Sequence, residues 1–235
     1  MDRQQHDIAA PASSGTPVTA AATAVLARDG SAGLEVLLLK RAGTVSFGAD
    51  AWVFPGGRVD AADAGGDSVF SVEAARRAAV RETREEAGIT VDGDALRVLS
   101  RWVPGPEAPK RFLTWLLFGR AESTGVRVDG TEIVDHRWMT PAAALEEHGC
   151  GRMGLLPPTW VTLHQLSRHR SVDEAAAAID AAEPEFFESH VVKTEAGLVI
   201  LWHGDAGYES RDPDAPGPRH RLHMLRGPWR YERSD

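Results

Sequence analysis

The sequence predicts an α+β fold, strands and helices mixed along the chain and ending in a β-rich C-terminal extension. Three observations predict it. Paired β-type runs lie on both sides of one strongly helical stretch, residues 71–87. Two later helical stretches open at prolines, Pro141 and Pro157. The chain then returns to β-type runs from about residue 189 to its end.

Residues 1–16 are small, polar and without apolar period, so they cannot bury enough surface to offset ordering and are read as a disordered tail. The apolar run 18–27 is read as a first strand. A secretory leader is a poorer reading, because Asp2, Arg3, His6 and Asp7 give the preceding segment no net basic character. A turn at Asp29-Gly30 leads to a second run, 34–41, in which Leu34, Val36 and Leu38 alternate with Glu35, Leu37 and Leu39. This predicts a hairpin with one well-buried face.

Gly and Pro punctuate a loop over 52–57. The helix 71–87 follows, with Ser71 as N-cap, Glu73 suited to the positive end of the helix dipole, and Gly88 as the stop. Strands are expected over 96–103, 112–118 and up to Trp138; helices over 141–148, 157–166 and 172–182; and strands over 189–193, 197–202, 219–225 and 229–231. The organisation is therefore a tail (1–16), a main domain (17–168) and a helical and β-rich extension (169–235). The extension's strands either join the main sheet, cap its pocket or form a dimer contact.

Composition excludes several classes. The 235 residues carry 26 Lys+Arg against 34 Asp+Glu, a net charge of −8, which argues against a nucleic-acid-coating protein. No apolar run approaches the ~20 residues of a membrane helix. Cys150 is the single cysteine, so no intrachain disulfide or cysteine cluster forms and a cytoplasmic setting is expected. Of the 26 basic residues 23 are Arg, so a lone Arg is weak evidence for phosphate binding unless its position supports it. His190, His203, His220 and His223 match no common ligand spacing and are read as surface residues.

Chemistry concentrates in Arg81-Glu82-Thr83-Arg84-Glu85-Glu86-Ala87-Gly88-Ile89. On a helix Glu82, Glu85 and Glu86 stand at i, i+3 and i+4, so three carboxylates share one face. Like charges at that spacing repel, whereas a site for hard divalent cations needs this density of oxygen ligands. The alternative is a solvated, salt-bridged helix face.

With Phe54-Pro55-Gly56-Gly57 upstream, these residues resemble the box of the Nudix hydrolase family: Gly, five residues, Glu, seven residues, then Arg-Glu-apolar-x-Glu-Glu-x-Gly-apolar. Glu73 and seven further residues bring Arg81, Glu82, Glu85, Glu86, Gly88 and Ile89 into register. Two departures stand out. Fifteen residues rather than five separate Gly57 from Glu73, an excess of ten, and Thr83 replaces an apolar residue. The resemblance implies a Nudix fold over about 17–165, an α/β/α sandwich with a mixed central sheet flanked by helices. It also implies Mg²⁺ or Mn²⁺ on the Gly56 carbonyl and on Glu82, Glu85 and Glu86, with Arg81 orienting the carboxylates and Glu73 bracing the loop–helix junction. Glu82 or Glu132 would be the general base.

The box insert, Trp52 to Asp60, Pro109 to Phe112 and Leu155 to Thr159 resemble an acyl-CoA diphosphatase branch of that family, although Ser46 and Phe47 stand where a CoA-type signature carries paired arginines. The implied reaction is cleavage of the diphosphate bond of a nucleoside diphosphate linked to another moiety, with CoA or acyl-CoA favoured. ADP-ribose or an NADH-like dinucleotide is the alternative substrate, and a non-catalytic nucleotide-sensing module the alternative class. Arg41, Lys110 and Arg111 are the candidate phosphate contacts. Trp52, Phe112 and Trp115 either stack on a base or belong to the core.

Overall fold

A computed structural model describes residues 16–45, 48–123 and 125–234. The expected tail, Thr16 excepted, and Ser46 and Phe47 lie outside these residues. The chain opens with the hairpin β1 (Val18–Gly30) and β2 (Gly33–Arg41). Val25, Ala27, Leu34, Val36 and Leu38 face one core, while Ala24, Leu26, Leu37 and Leu39 face another. The expectation of a single buried face is therefore corrected. The nearly continuous apolar run of β2 marks a strand covered on both sides.

Two short strands, β3 (Trp52–Val53) and β4 (Gly56–Arg58), lie in the segment read as a loop, and a short helix, α1 (Ala61–Ala64), lies in the long segment between Gly57 and Glu73. Next come α2 (Val72–Ala87), β5 (Arg97–Pro104), β6 (Arg111–Arg120), β7 (Ile133–Met139), α3 (Pro141–Gly149), α4 (Pro157–Leu166) and α5 (Val172–Asp180). The strands β8 (Glu185–Thr194), β9 (Gly197–Leu201), β10 (His220–Leu225) and β11 (Arg230–Arg233) follow. The sheet order is β11-β10-β9-β8-β5-β6-β1-β2-β3, with β4 on β1 and β7 on β2. The sheet is mixed: β1 pairs parallel with β6, and β5 runs antiparallel to β6 but parallel to β8.

Helix α2 lies on one face. Its buried side is made of Ala74, Ala75, Ala78, Ala79 and Thr83, small enough to let the helix axis approach β1 and β4 closely. Its ends are fixed as the sequence predicts. Ser71 Oγ accepts from the Ala74 N–H at 3.2 Å, and Gly88, at φ 68°, donates its N–H to the Arg84 carbonyl. Losing such an N-cap costs about 1 kcal/mol. Helices α4 and α5 contribute Trp160, Val161, Leu163, Leu166, Val172 and Ala175 to the core on the opposite face, which completes the three layers.

Of the three roles open to the C-terminal strands, the structure shows the first: through the β5–β8 pairing they extend the main sheet. Trp102 of β5 stacks on Phe187 of β8 with ring centroids 3.9 Å apart, and Trp202 meets Trp102 edge-on. Of the four histidines read as surface residues, His203 is exposed as expected, but the other three are not. His190 and His223 are half-buried, and His220 packs against Phe187, Trp202 and Tyr231. Among the described residues no group of three or more His, Cys, Asp or Glu is gathered as a ready coordination set. Nor is any helix among them long and apolar enough to cross a membrane.

Candidate active site

The carboxylate face of α2 is set against the glycine turn of β4. Thr23 of β1 pairs with Gly56 and Ala22 with Gly57, so the two glycines are held along the edge of β1. A Cβ at Gly57 would stand 2.5 Å from the Glu82 carboxylate, which would have to swing aside, and one at Gly56 would stand 2.4 Å from the Ala22 carbonyl oxygen of β1, which cannot. The Gly56 N–H donates to Glu86 Oε2 at 2.9 Å. The local sequence therefore folds two glycines onto two glutamates.

Burial differs across the three carboxylates. Glu86 is 5% exposed, Glu82 is largely enclosed, and Glu85 faces solvent. Desolvation pushes the Glu86 carboxyl up to about 8; the Gly56 N–H and Arg41 act against that shift, while Glu82 and Glu132 add to it. Burial likewise raises Glu82, and Arg81 offsets only part of the effect. Two buried acids thus stand close together with little compensation, at a cost that a divalent cation would remove.

Arg81 is held more completely. Its Nη1 donates to Glu82 Oε1 at 2.8 Å and to Glu85 Oε2 at 3.1 Å. Its Nη2 donates to the Arg58 carbonyl and to Asp63 Oδ2, both at 2.9 Å, and its Nε to Asp63 Oδ1 at 3.2 Å. All five guanidinium donors are engaged. Glu73, expected as the brace at this junction, instead lies 3.8 Å from Arg76 and is 55% exposed in its side chain. That expectation is corrected, because the acid on Arg81 is Asp63, buried to 7% exposure. One sequence signal could have found it. Asp63 follows Gly57 after five residues, the spacing the box requires, so the ten extra residues fall between the acid and the helix.

The remaining site residues divide into two groups. Arg41 ends β2 with a buried Nε that has no hydrogen-bond partner among the described residues, and its charge is felt at Glu86. Glu132 belongs to the loop before β7, docked by its carbonyl accepting from the Ala42 N–H at 2.8 Å. Asp129, missed by the sequence reading, fixes that loop. Its Oδ1 accepts from the N–H groups of Thr131, Glu132 and Ile133, an arrangement visible only once the loop is folded. Arg41 and Glu132 thus join the carboxylates of α2. Lys110 lies in the segment between β5 and β6, and Arg111 is the first residue of β6. Lys110 is exposed there, whereas Arg111 is 8% exposed and donates to the Pro104 carbonyl at 3.0 Å, with Glu188 beside it. Trp52 and Trp115, each 4% exposed, belong to the core.

Comparison with known proteins accords with this geometry. The NUDIX domain model matches residues 17–156. A curated protein of Caenorhabditis elegans, putative nudix hydrolase 7, is 26% identical over 175 residues, which make up 59% of this chain and 58% of that protein's length. The crystal structure of a NUDIX hydrolase from Alicyclobacillus acidocaldarius superposes with a TM-score of 0.63 at 25% identity, covering 69% of this chain and 96% of that one. On the match across more than half its length, together with the fold it shares, this chain belongs to the NUDIX domain family.

Proposed function

We propose that the chain is a metal-dependent pyrophosphohydrolase that cleaves the diphosphate bond of a nucleoside diphosphate linked to another moiety, with CoA or acyl-CoA the favoured substrate. The observation that carries this reading is the buried Glu86 beside the largely enclosed Glu82, both undercompensated, against the Gly56-Gly57 turn. Fixed carboxylate and carbonyl oxygens are the donor set that Mg²⁺ and Mn²⁺ prefer, so the residues fit the ion. Glu82, Glu85, Glu86 and the Gly56 carbonyl would hold it. When bound, it lowers the pKa of a water and neutralises charge on the diphosphate.

The protein's own residues do the rest. Arg81 orients Glu82 and Glu85 through its two Nη1 bonds. Glu132, exposed beside the buried set, is placed to take a proton from an attacking water, and Glu82 is the other candidate base. Arg41, with its unpartnered Nε, is the proposed contact for a substrate phosphate oxygen. Arg111 would have to give up its bond to Pro104 to do the same, which leaves Lys110 as an outlying second cation. Residues 17–168 form the proposed catalytic unit and 169–235 its extension. The lone free Cys150 supports a cytoplasmic setting.

The test is product release from a panel of CoA, acyl-CoA, ADP-ribose, NADH and deoxynucleoside triphosphates, with Mg²⁺ or Mn²⁺ and with Glu85→Gln as control. CoA or acyl-CoA is expected to turn over fastest, and Glu85→Gln to lose activity by about 10²–10³-fold. Turnover that persists unchanged in Glu85→Gln would remove the mechanism. Tight nucleotide binding without turnover would favour the sensing module.

A further inference from the structure

We propose that Arg101, on β5, is the centre of a second binding site, one that takes the phosphate of a flat phosphate monoester beside the exposed ring of Phe186. The site is distinct from the carboxylate face of α2. In a chain of net charge −8 an anion has to be drawn by a local cation, and Arg101 is an enclosed guanidinium that the fold leaves without an acid.

Arg101 stands between two rings. Its Cζ lies 4.1 Å from the ring centre of Phe186 on β8 and 5.3 Å from that of Trp115 on β6. The rings attract the charge but leave the N–H groups without acceptors. Among the described residues Arg101 forms no hydrogen bond and no ion pair. Burial lowers its pKa, and no carboxylate acts against that shift. The neighbouring acids are engaged elsewhere: Glu188, on the same face of β8 as Phe186, lies 3.8 Å from Arg111, and Glu185, on the other face, pairs with Gln165 and Arg233. Arg221, more deeply enclosed, has acceptors on all three of its nitrogens. Nη1 of Arg101 is closed off, whereas Nε and Nη2 make the edge that grips an oxyanion in two parallel bonds.

The strand register places this group. Direct strand partners share a face, so Gly57, Ala22, Trp115, Arg101 and Phe186 form one line across β4, β1, β6, β5 and β8 on the face that α2 covers. Three strand spacings of about 4.8 Å put Arg101 roughly 14 Å from Gly57. Helix α2 lies over the β4 and β1 end of the line, so Arg101 belongs beyond the helix rather than beneath its carboxylates. Trp115 is fixed there by donating its Nε1–H to the Phe70 carbonyl at 3.1 Å, just ahead of α2. Phe186 differs from Trp115 in being 43% exposed, which leaves ring surface open beside the guanidinium. A flat ring carrying the phosphate gains from stacking on that surface.

The experiment is calorimetric titration of inorganic phosphate and of AMP, in EDTA, into the full chain and into Arg101→Gln, Phe186→Ala and Arg97→Gln. Circular dichroism confirms folding. The wild type is expected to bind both, and AMP more tightly by about fivefold or more through stacking. Arg101→Gln should weaken both by about tenfold or more, the loss of a charge-assisted pair of bonds. Phe186→Ala should abolish the preference for AMP and keep phosphate within about threefold of the wild type. Arg97, paired with Asp180 at 2.9 Å, is the control, and its variant should stay within about twofold for both. Phe186 is exposed, so its variant remains informative if Arg101→Gln does not fold. Wild-type protein that binds neither ligand, Arg101→Gln that binds them as the wild type does, or a preference for AMP that survives Phe186→Ala overturns the proposal. Turnover plays no part in these readouts, so failure here is distinguishable from failure of the proposed hydrolysis.

Discussion

Asp205 and Glu86 are both buried carboxylates, 6% and 5% exposed, yet their surroundings treat them in opposite ways. Asp205, in the loop after β9, accepts from Arg221 Nε at 2.7 Å and Nη2 at 2.6 Å, from the Gly207 N–H and from the His220 N–H. Burial works to raise its pKa, but these donors bring it down to about 2. Glu86 has the single Gly56 N–H and ends near 8. A fully compensated buried charge holds a fold together. One left short of donors is a cost that a bound cation would relieve, and this contrast separates the extension from the proposed site.

The largest expected effect is on stability in the extension. Asp205→Ala strands the Arg221 guanidinium in the interior and should destabilise the protein by about 3–5 kcal/mol in urea denaturation. Turnover per folded molecule should be retained. A stable variant with lost turnover would break the comparison from this side.

Glu86→Gln should behave in the reverse way. Its kcat is expected to fall by about 10²–10³-fold, while its stability without metal stays level or rises, because the variant no longer buries a carboxyl whose ionisation its surroundings oppose. Saturating Mg²⁺ should raise the melting temperature of the wild type and leave that of Glu86→Gln nearly unmoved. A large stability loss in Glu86→Gln would make Glu86 a structural acid like Asp205.

The same contrast explains what could be read from the sequence. Helix α2 was legible because its signals are local: Ser71 and Gly88 bound it, and the i, i+3, i+4 spacing of Glu82, Glu85 and Glu86 declares a face. The strands of the extension were legible as strands for the same reason. Their place beside β5 was not, since period marks a strand without naming its partner. The ion pair of Asp205 and Arg221 joins a loop to a strand in a chain where Arg is too common to draw notice. Asp63 was overlooked because seventeen residues separate it from Arg81, although its five-residue spacing from Gly57 was there to be read. β3 and β4 were too short to show a period.

Smaller effects sharpen the contrast. Arg41→Ala removes a charge-assisted contact of about 1.5–3 kcal/mol, so KM should rise tenfold or more with little change in kcat. An unchanged KM would take Arg41 out of the substrate site. The Asp205 pair also sets an acid limit. Its folded pKa of about 2 lies below the ordinary 3.8, so its stabilisation is complete above about pH 4 and is lost as pH falls through about 2. Urea midpoints measured across that window should show a loss of about 2 kcal/mol in the wild type that Asp205→Ala lacks.

The most direct examination of the central claim is anomalous diffraction from crystals soaked in Mn²⁺. The account predicts a peak bounded by Glu82, Glu85, Glu86 and the Gly56 carbonyl. Saturating Mn²⁺ that leaves this face empty, or settles on other residues while the enzyme in the same drop turns over, would contradict it.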